Sequence, residues 1–364
     1  MELSIKEVCR SNQSYDFVFV SHLPSFYKIN LFNKLAKSVS ILAIFLGESS
    51  NERTADFVKG IKQFDYLFLN SGDFERRIRW YSSWKLLRIL LKLKYKWLSV
   101  GAWDLPESWV AILCSPKHQN VIAQESSIFE SELYGWKGLI KRLFVKRLSL
   151  ALVSGEPHGR LMRAVGFDGE IVVTGGVGLA NRAKRAIDSD RKFSGNFLYV
   201  GRLSSEKNLA YLLGIFACSQ MANFRLTLVG NGPERESLRM LAGSNVSLVG
   251  HMPNELIHEI YLSHDVFVLP SLSEPWGLVV EEALYYGLPV LASSKVGSVE
   301  DLVLNSGAGL VFDPLSEKSL HQAIEAMATH YEQYSKAARA IDFASRDAAQ
   351  VWAYVEAVRQ KAAV

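Results

Sequence analysis

Glu274 and Glu282 stand eight positions apart in Ser273-Glu274-Pro275-Trp276-Gly277-Leu278-Val279-Val280-Glu281-Glu282-Ala283-Leu284. Carboxylates so spaced can accept hydrogen bonds from sugar hydroxyls. Upstream, Arg202 and Lys207 lie in Asn196-Phe197-Leu198-Tyr199-Val200-Gly201-Arg202-Leu203-Ser204-Ser205-Glu206-Lys207-Asn208-Leu209. A guanidinium offers a planar fork for phosphate oxygens and an ammonium offers a compact charge on a flexible stem, so the pair suits a diphosphate. Between them, Gly230 and Gly232 flank Asn231 in Leu226-Thr227-Leu228-Val229-Gly230-Asn231-Gly232-Pro233-Glu234. That run is not a Gly-x-Gly-x-x-Gly fingerprint, and a lone Gly-Asn-Gly is more often a plain turn.

Each of these groups needs an element to hold it. Asp265-Val266-Phe267-Val268-Leu269-Pro270 has the apolar, β-branched character of a buried parallel strand, and Tyr285-Tyr286-Gly287-Leu288-Pro289 reads as a helix stop. Glu274 then falls in the loop at the carboxyl end of a strand. Glu282 falls on the next helix, a little over one turn beyond Gly277. Crevices at such strand ends are where open α/β sheets bind ligands. Gly277 lets the backbone approach a ligand, and the free N–H groups of a first helical turn favour phosphate. The competing reading makes Glu274 a helix cap and the second acid solvated surface. Against it, Glu281 and Glu282 point about 100° apart on a helix and cannot share one exposed face. The Arg202 and Gly230 segments repeat the strand, turn, helix pattern, with Pro233 near a first helical turn. Glu206 could instead neutralise Lys207 locally.

In this order and spacing the three segments resemble glycosyltransferase family 4, whose signature is the Glu-x7-Glu element. The resemblance covers most of residues 196 to 312, including Val246-Ser247-Leu248-Val249-Gly250-His251-Met252-Pro253 and Gly287-Leu288-Pro289-Val290-Leu291-Ala292-Ser293. It implies the GT-B fold, α/β with two doubly wound Rossmann-like domains facing a central cleft, and retaining transfer from a nucleotide sugar without a metal. It also implies that Arg202 and Lys207 hold the donor diphosphate, that Glu274 contacts the donor sugar and Glu282 the ribose, and that backbone amides around Gly277 and Leu278 complete the donor site, with Gly230 and Gly232 beside it.

The first half matches the family less well. Tyr15-Asp16-Phe17-Val18-Phe19-Val20-Ser21-His22 reads as a first strand, followed by a turn and helix through Leu23-Pro24-Ser25-Phe26-Tyr27-Lys28. Many family members place a glycine-rich loop there; this chain resembles a subset with proline, tyrosine and a basic residue, which makes His22 and Lys28 cleft candidates. A lone His or Lys after a strand is more often structural. Where relatives often place a histidine, after the strand Val121-Ile122-Ala123, this chain has Gln124 and Glu125. A second departure is Thr174-Gly175-Gly176-Val177-Gly178, in place of an Asn-Gly-Val-Asp type of turn.

At 364 residues with 49% hydrophobic side chains, the chain is long for one core. The expected organisation is an acceptor-binding domain over 1–180, a linker over 181–195, a nucleotide-sugar domain over 196–341, and a terminal helix over 342–364 that returns to the first domain. Asp188-Ser189-Asp190 has the form of a metal motif, but it falls in the linker rather than at a strand end, so no metal is expected. Three scattered cysteines, Cys9, Cys114 and Cys218, fit a reducing compartment. Met1 to Arg10 lacks the apolar run of a signal peptide, and a cytoplasmic location is expected.

The net charge of +4 conceals an asymmetry: residues 1–180 carry 24 basic and 17 acidic side chains, the remainder 17 and 20. Two basic stretches, 76–97 and 136–147, contain no acid. Read as a helix, the first puts Lys85, Arg88, Lys92 and Lys96 on one face and Trp80, Trp84, Leu87 and Leu91 on another, the composition of a segment lying in an anionic membrane interface. The alternative is a helix packed on the first sheet with solvated lysines. No span is long enough to cross a bilayer, and nothing resembles a nucleic-acid-binding module. The expected partners are a nucleotide-sugar donor and a saccharide acceptor, with a lipid-linked saccharide of surface polysaccharide assembly favoured. A GT-B sugar-nucleotide epimerase and a non-catalytic nucleotide-sugar-binding protein are the competing functions.

Overall fold

A computed structural model describes residues 1–10, 12–53, 55–183 and 192–362. Asp188-Ser189-Asp190 lies outside these. The chain forms two compact units, one running over Met1–Asn181 and taking in the chain from Ala344 on, the other spanning Arg182–Phe343.

The first unit holds a seven-stranded sheet of β1 (Ser14–Ser21), β2 (Ile41–Phe45), β3 (Asp65–Phe68), β4 (Lys94–Val100), β5 (Asn120–Gln124), β6 (Leu150–Val153) and β7 (Glu170–Val173), in the order β3-β2-β1-β4-β5-β6-β7. Every pairing is parallel. Parallel sheets need cover on both faces, so the strands are nearly continuous apolar runs. Alternation along each strand sorts the core into two layers. Val18, Leu98 and Ile122 join a cluster with Leu86, Ala111 and Phe144 from helices on one face. Phe17, Trp97 and Val121 face the other, where they meet Ile29 and Phe32 of the helix Phe26–Leu35 and Tyr354 and Val358 of the terminal helix Phe343–Ala362. That terminal helix is fixed by specific contacts as well as burial: the indole N–H of Trp97 donates to the Ala357 carbonyl at 3.0 Å, and Tyr354 meets the Phe17 ring edge-on at 6.0 Å.

The second unit has a six-stranded parallel sheet, β10-β9-β8-β11-β12-β13, built from β8 (Asn196–Val200), β9 (Arg225–Val229), β10 (Val246–Gly250), β11 (Val266–Leu269), β12 (Val290–Ser293) and β13 (Gly309–Phe312). Its order reverses between β8 and β11. The first sheet reverses in the same way between β1 and β4. A reversal sends successive crossover helices to opposite faces and leaves a crevice at the strand carboxyl ends.

The basic stretch 76–97 is not one helix. The helix runs over Arg79–Leu90, and β4 begins at Lys94. Lys94-Tyr95-Lys96-Trp97 alternates with the period of a strand, and Lys96 leaves the supposed cationic face to pair with Asp16 on β1 at 2.7 Å. Lys85 leaves it too, donating to the Leu69 carbonyl at 3.2 Å. In the second stretch Lys141 is buried; it donates to the Glu132 carbonyl at 2.8 Å and lies 5.2 Å from the centre of the Trp103 ring. Pro233 stands just before its helix, Arg235–Leu241.

Candidate active site

The second unit's chemistry collects at the reversal of its sheet. After β8 the chain passes Gly201 and Arg202, makes a short 3-10 turn at Ser205–Lys207, and reverses at Asn208, a non-glycine residue with φ of 56°. Asn208 is held there by its side-chain amide, which donates to the Pro314 carbonyl at 3.0 Å. This geometry brings Lys207 to Glu274, which follows β11, and the two form an ion pair with side chains only 15% and 14% exposed. The Ser271 hydroxyl adds a long hydrogen bond to the same carboxylate at 3.4 Å. The direct ion-pair partner of Lys207 is therefore Glu274 and not Glu206. Burial works against the Glu206 carboxylate, but the Ser204 hydroxyl, donating at 2.5 Å, and the charges of Lys207 and Arg202 together hold its pKa below the usual value. Arg202 stands exposed.

Glu274 is fixed through its backbone. Its N–H donates to the Lys295 carbonyl at 3.1 Å and its carbonyl accepts from Gly297 at 2.9 Å, so the loop after β12 clamps it on both sides. Gly277, at φ 83° and ψ 65°, then turns the chain into the helix Leu278–Tyr285. A side chain there would be strained and would press on Glu274, because a Cβ would lie 3.2 Å from the glutamate Cγ. Gly230 and Gly232 have a packing role: a Cβ on them would fall 1.8 Å from the Gly201 carbonyl oxygen and 2.2 Å from that of Leu203. The two glycines let the loop after β9 lie against the loop that carries Arg202.

Glu282 is set differently from Glu274. It is partly exposed, and its carboxylate accepts from the Tyr261 hydroxyl at 3.1 Å. Burial is the main cause that lifts its pKa to about 7, with the neighbouring Glu281 adding to the rise, while the Tyr261 hydrogen bond opposes it. Glu281 points into the protein and pairs with Arg182 at 2.6 Å. The Arg182 guanidinium also lies 5.1 Å from the Tyr285 ring centre and 4.8 Å from that of Phe343. Sequence reasoning missed this cluster. The only signal was an arginine at the edge of a charged linker, 99 residues from its partner.

The first unit has its own polar group at the strand ends. Lys28, on the helix after β1, pairs with Glu125, after β5, at 2.7 Å, and the Tyr27 hydroxyl reaches the same carboxylate at 3.5 Å. Ser21, Lys28, Ser99, Gly101, Glu125 and Tyr354 line a small open pocket there. His22 lies beside them with its pKa lowered to about 4, chiefly by burial and then by the Lys28 charge, so it is neutral at pH 7. The first-half candidates thus come together, and Gln124, which is buried, ties the loop by donating to the Ser126 carbonyl at 2.9 Å. Behind them Arg77 and Glu107 form a bidentate pair at 2.8 and 3.3 Å with side chains 2% and 0% exposed. The glycine run 175–178 has a steric reason: a Cβ at Gly178 would lie 2.6 Å from the Tyr27 carbonyl oxygen.

Two parallel sheets, each with a reversal and polar groups at its carboxyl edge, define a GT-B fold. The apo structure of the lipopolysaccharide outer core galactosyltransferase WaaB shares it, with a TM-score of 0.66 and 13% identity over 96% of this chain and 100% of that one. Residues 180–342, which carry the second unit's site, match the family model Glycosyl transferases group 1. The chain is 34% identical over 121 residues to the sulfoquinovosyl transferase SQD2 of Arabidopsis thaliana, a match covering 32% of this chain and 23% of the relative. It is 35% identical over 143 residues to a GDP-mannose-dependent alpha-mannosyltransferase of Mycobacterium tuberculosis, covering 39% of this chain and 36% of the relative. These matches span 23% and 36% of the relatives' own lengths.

Proposed function

We propose that the protein is a retaining glycosyltransferase that moves a hexose-type sugar from a nucleotide diphosphate donor to an acceptor hydroxyl. The observation that carries this reading is the Lys207–Glu274 pair at the reversal of the second sheet, beside exposed Arg202 and the left-handed entry to the helix at Gly277. In the reaction, Arg202, Lys207 and the amides from Leu278 onward offset the negative charge that grows on the leaving diphosphate as the anomeric bond breaks. Glu274 accepts hydrogen bonds from the transferred sugar, and Glu282 accepts from the ribose. The leaving phosphate takes the acceptor proton on the face from which it departs, which retains configuration. With this cationic cradle the transfer needs no resident metal. In the first unit, the Lys28–Glu125 pair and neutral His22 face the acceptor. The favoured acceptor is a lipid-linked saccharide of surface polysaccharide or lipopolysaccharide assembly, at the cytoplasmic face of the membrane.

The test is calorimetric titration of the full chain with UDP, GDP and dTDP sugars, GDP-mannose among them because one relative depends on it, followed by transfer assays with the donor that binds. Selective binding that weakens in Glu282→Ala, and transfer that requires an acceptor, are expected. Conversion of the donor without any acceptor would identify an epimerase, and absence of binding to every donor would return the chain to a non-catalytic role.

A further inference from the structure

Half of the large apolar side chains that stand exposed among the described residues fall between Ile78 and Leu143. Three helices bear most of them: Arg79–Leu90, Pro106–Cys114 and Gly135–Val145. These helices cover the same face of the first sheet, since their inner residues Leu86, Ala111 and Phe144 share one buried cluster. They also lie side by side, with Trp109 meeting the Phe144 ring edge-on at 5.0 Å. Their outer sides therefore form one layer, on which Trp80 is 74% exposed, Trp136 69% and Leu139 57%, with Trp84 and Leu143 about half exposed beside them. Singly exposed apolar residues are ordinary, but tryptophans gathered on one helical layer mark a surface that something else covers.

The charge on that layer identifies what covers it. Neither the helix Arg79–Leu90 nor Gly135–Val145 contains an acidic residue. Arg79, Arg88 and Arg142 stand exposed among the aromatic side chains, while Lys137 is paired with Glu132, just before its helix, at 2.9 Å. Arg88 lies 4.7 Å from the centre of the Trp84 ring, so one site offers an aromatic body and a cation that can reach past it. Indole rings settle at the boundary between headgroups and acyl chains, and cations beside them meet lipid phosphates. No described helix is long and apolar enough to cross a membrane. We infer that this outer layer is a docking surface for an anionic membrane, with Trp80, Trp84 and Trp136 inserting and Arg79, Arg88 and Arg142 contacting lipid phosphates. The inference bears on the lipid-linked acceptor proposed above, but it rests on the exposed surface alone.

The test therefore uses neither saccharide nor nucleotide. The full chain is sedimented with phosphatidylcholine vesicles, with and without phosphatidylglycerol, at about 50 mM and about 500 mM salt, conditions of weak and strong screening. Binding to the anionic vesicles at low salt is expected, with a blue shift of tryptophan emission. High salt or the triple variant Trp80→Ser/Trp84→Ser/Trp136→Ser should each weaken it about tenfold or more, since a single cation near such a surface is worth roughly fivefold. Arg79→Glu/Arg88→Glu should act in the same direction. Because all these side chains are exposed, the thermal midpoints should stay near that of the parent. Failure to sediment at low salt, or binding that neither variant weakens, would overturn the inference. So would lipid-free self-association that the tryptophan variant abolishes, which would make a second copy the occupant. Nucleotide titration remains independent of every one of these outcomes.

Discussion

Glu282→Gln separates what the fold tolerates at this position from what the site requires. The carboxyl titrates near pH 7 in the folded chain against an ordinary value of 4.5. Its folded pKa is raised, so the protonated form contributes stability at low pH and that contribution is lost as pH rises from 4.5 through 7. The full shift corresponds to about 3 kcal/mol, at 1.36 kcal/mol per unit. Partial exposure of the side chain reduces the realised penalty to about 1–2 kcal/mol. Glutamine keeps an acceptor for the Tyr261 hydroxyl and cannot ionise. The variant should therefore melt above the parent at pH 8 by about 2–4 °C per kcal/mol for a unit of this size. At pH 5 the gain should fall below half its value at pH 8. Nucleotide binding should move the opposite way, weakening by about 1–3 kcal/mol, because a carboxylate is the stronger acceptor for ribose hydroxyls. Thermal unfolding at the two pH values and calorimetry at pH 8 read both effects. A variant no more stable than the parent at pH 8, or equally stabilised at both pH values, would refute the desolvated carboxylate.

Three further perturbations probe the remaining charged groups. Lys207→Ala and Glu274→Ala should each reduce transfer by about 10²-fold or more while circular dichroism reports an intact fold; near-normal rates in either would contradict the donor site. Arg77→Met should cost about 3–5 kcal/mol in denaturant unfolding of the first unit by stranding the buried Glu107 carboxylate. Arg77→Met/Glu107→Leu should recover most of that loss, and a double variant no better than the single one would show that the pair is not the cause. Lys28→Met should raise the His22 pKa above its value of about 4, because the Lys28 charge depresses it and Glu125 opposes that effect; an imidazole NMR titration showing no change or a fall would refute the coupling.

The second unit's strands were legible because both faces of its sheet are covered, which writes Val266, Phe267, Val268 and Leu269 as an unbroken apolar run. The polar residues that follow such runs must lie at the carboxyl edge, which is why the placement of Arg202, Lys207 and Glu274 at that edge could be read in advance. The division of 76–97 into a helix and a strand was misread because Lys92 and Lys96 fit a helical face with Lys85 and Arg88 and, with Lys94, also fit a strand alternation, until Asp16 and the sheet register choose. The ion pairs were illegible for another reason. Lys28 lies 97 residues from Glu125 and Arg77 lies 30 from Glu107, and no local pattern links partners that only a sheet's strand order brings together.

Strand order also explains a likeness between the units. In each, a lysine follows the first strand of the sheet and pairs with a glutamate that follows a strand beyond the reversal: Lys207 with Glu274 after β11, and Lys28 with Glu125 after β5. Parallel strands all deliver their loops to the same edge, where helix N-termini add partial positive charge. An ammonium placed among them is unfavourable unless a carboxylate accompanies it, and burial raises that requirement. The glutamate therefore holds the lysine in place at the crevice. Under the proposed function, a donor diphosphate beside Lys207 would replace one oxygen partner of that cation with another. In the first unit the same arrangement keeps Lys28 charged, and that charge helps to keep His22 neutral. That pocket accordingly offers a cation and a carboxylate, with a neutral imidazole near them, and under the proposed function this set would hydrogen-bond a polyhydroxyl acceptor.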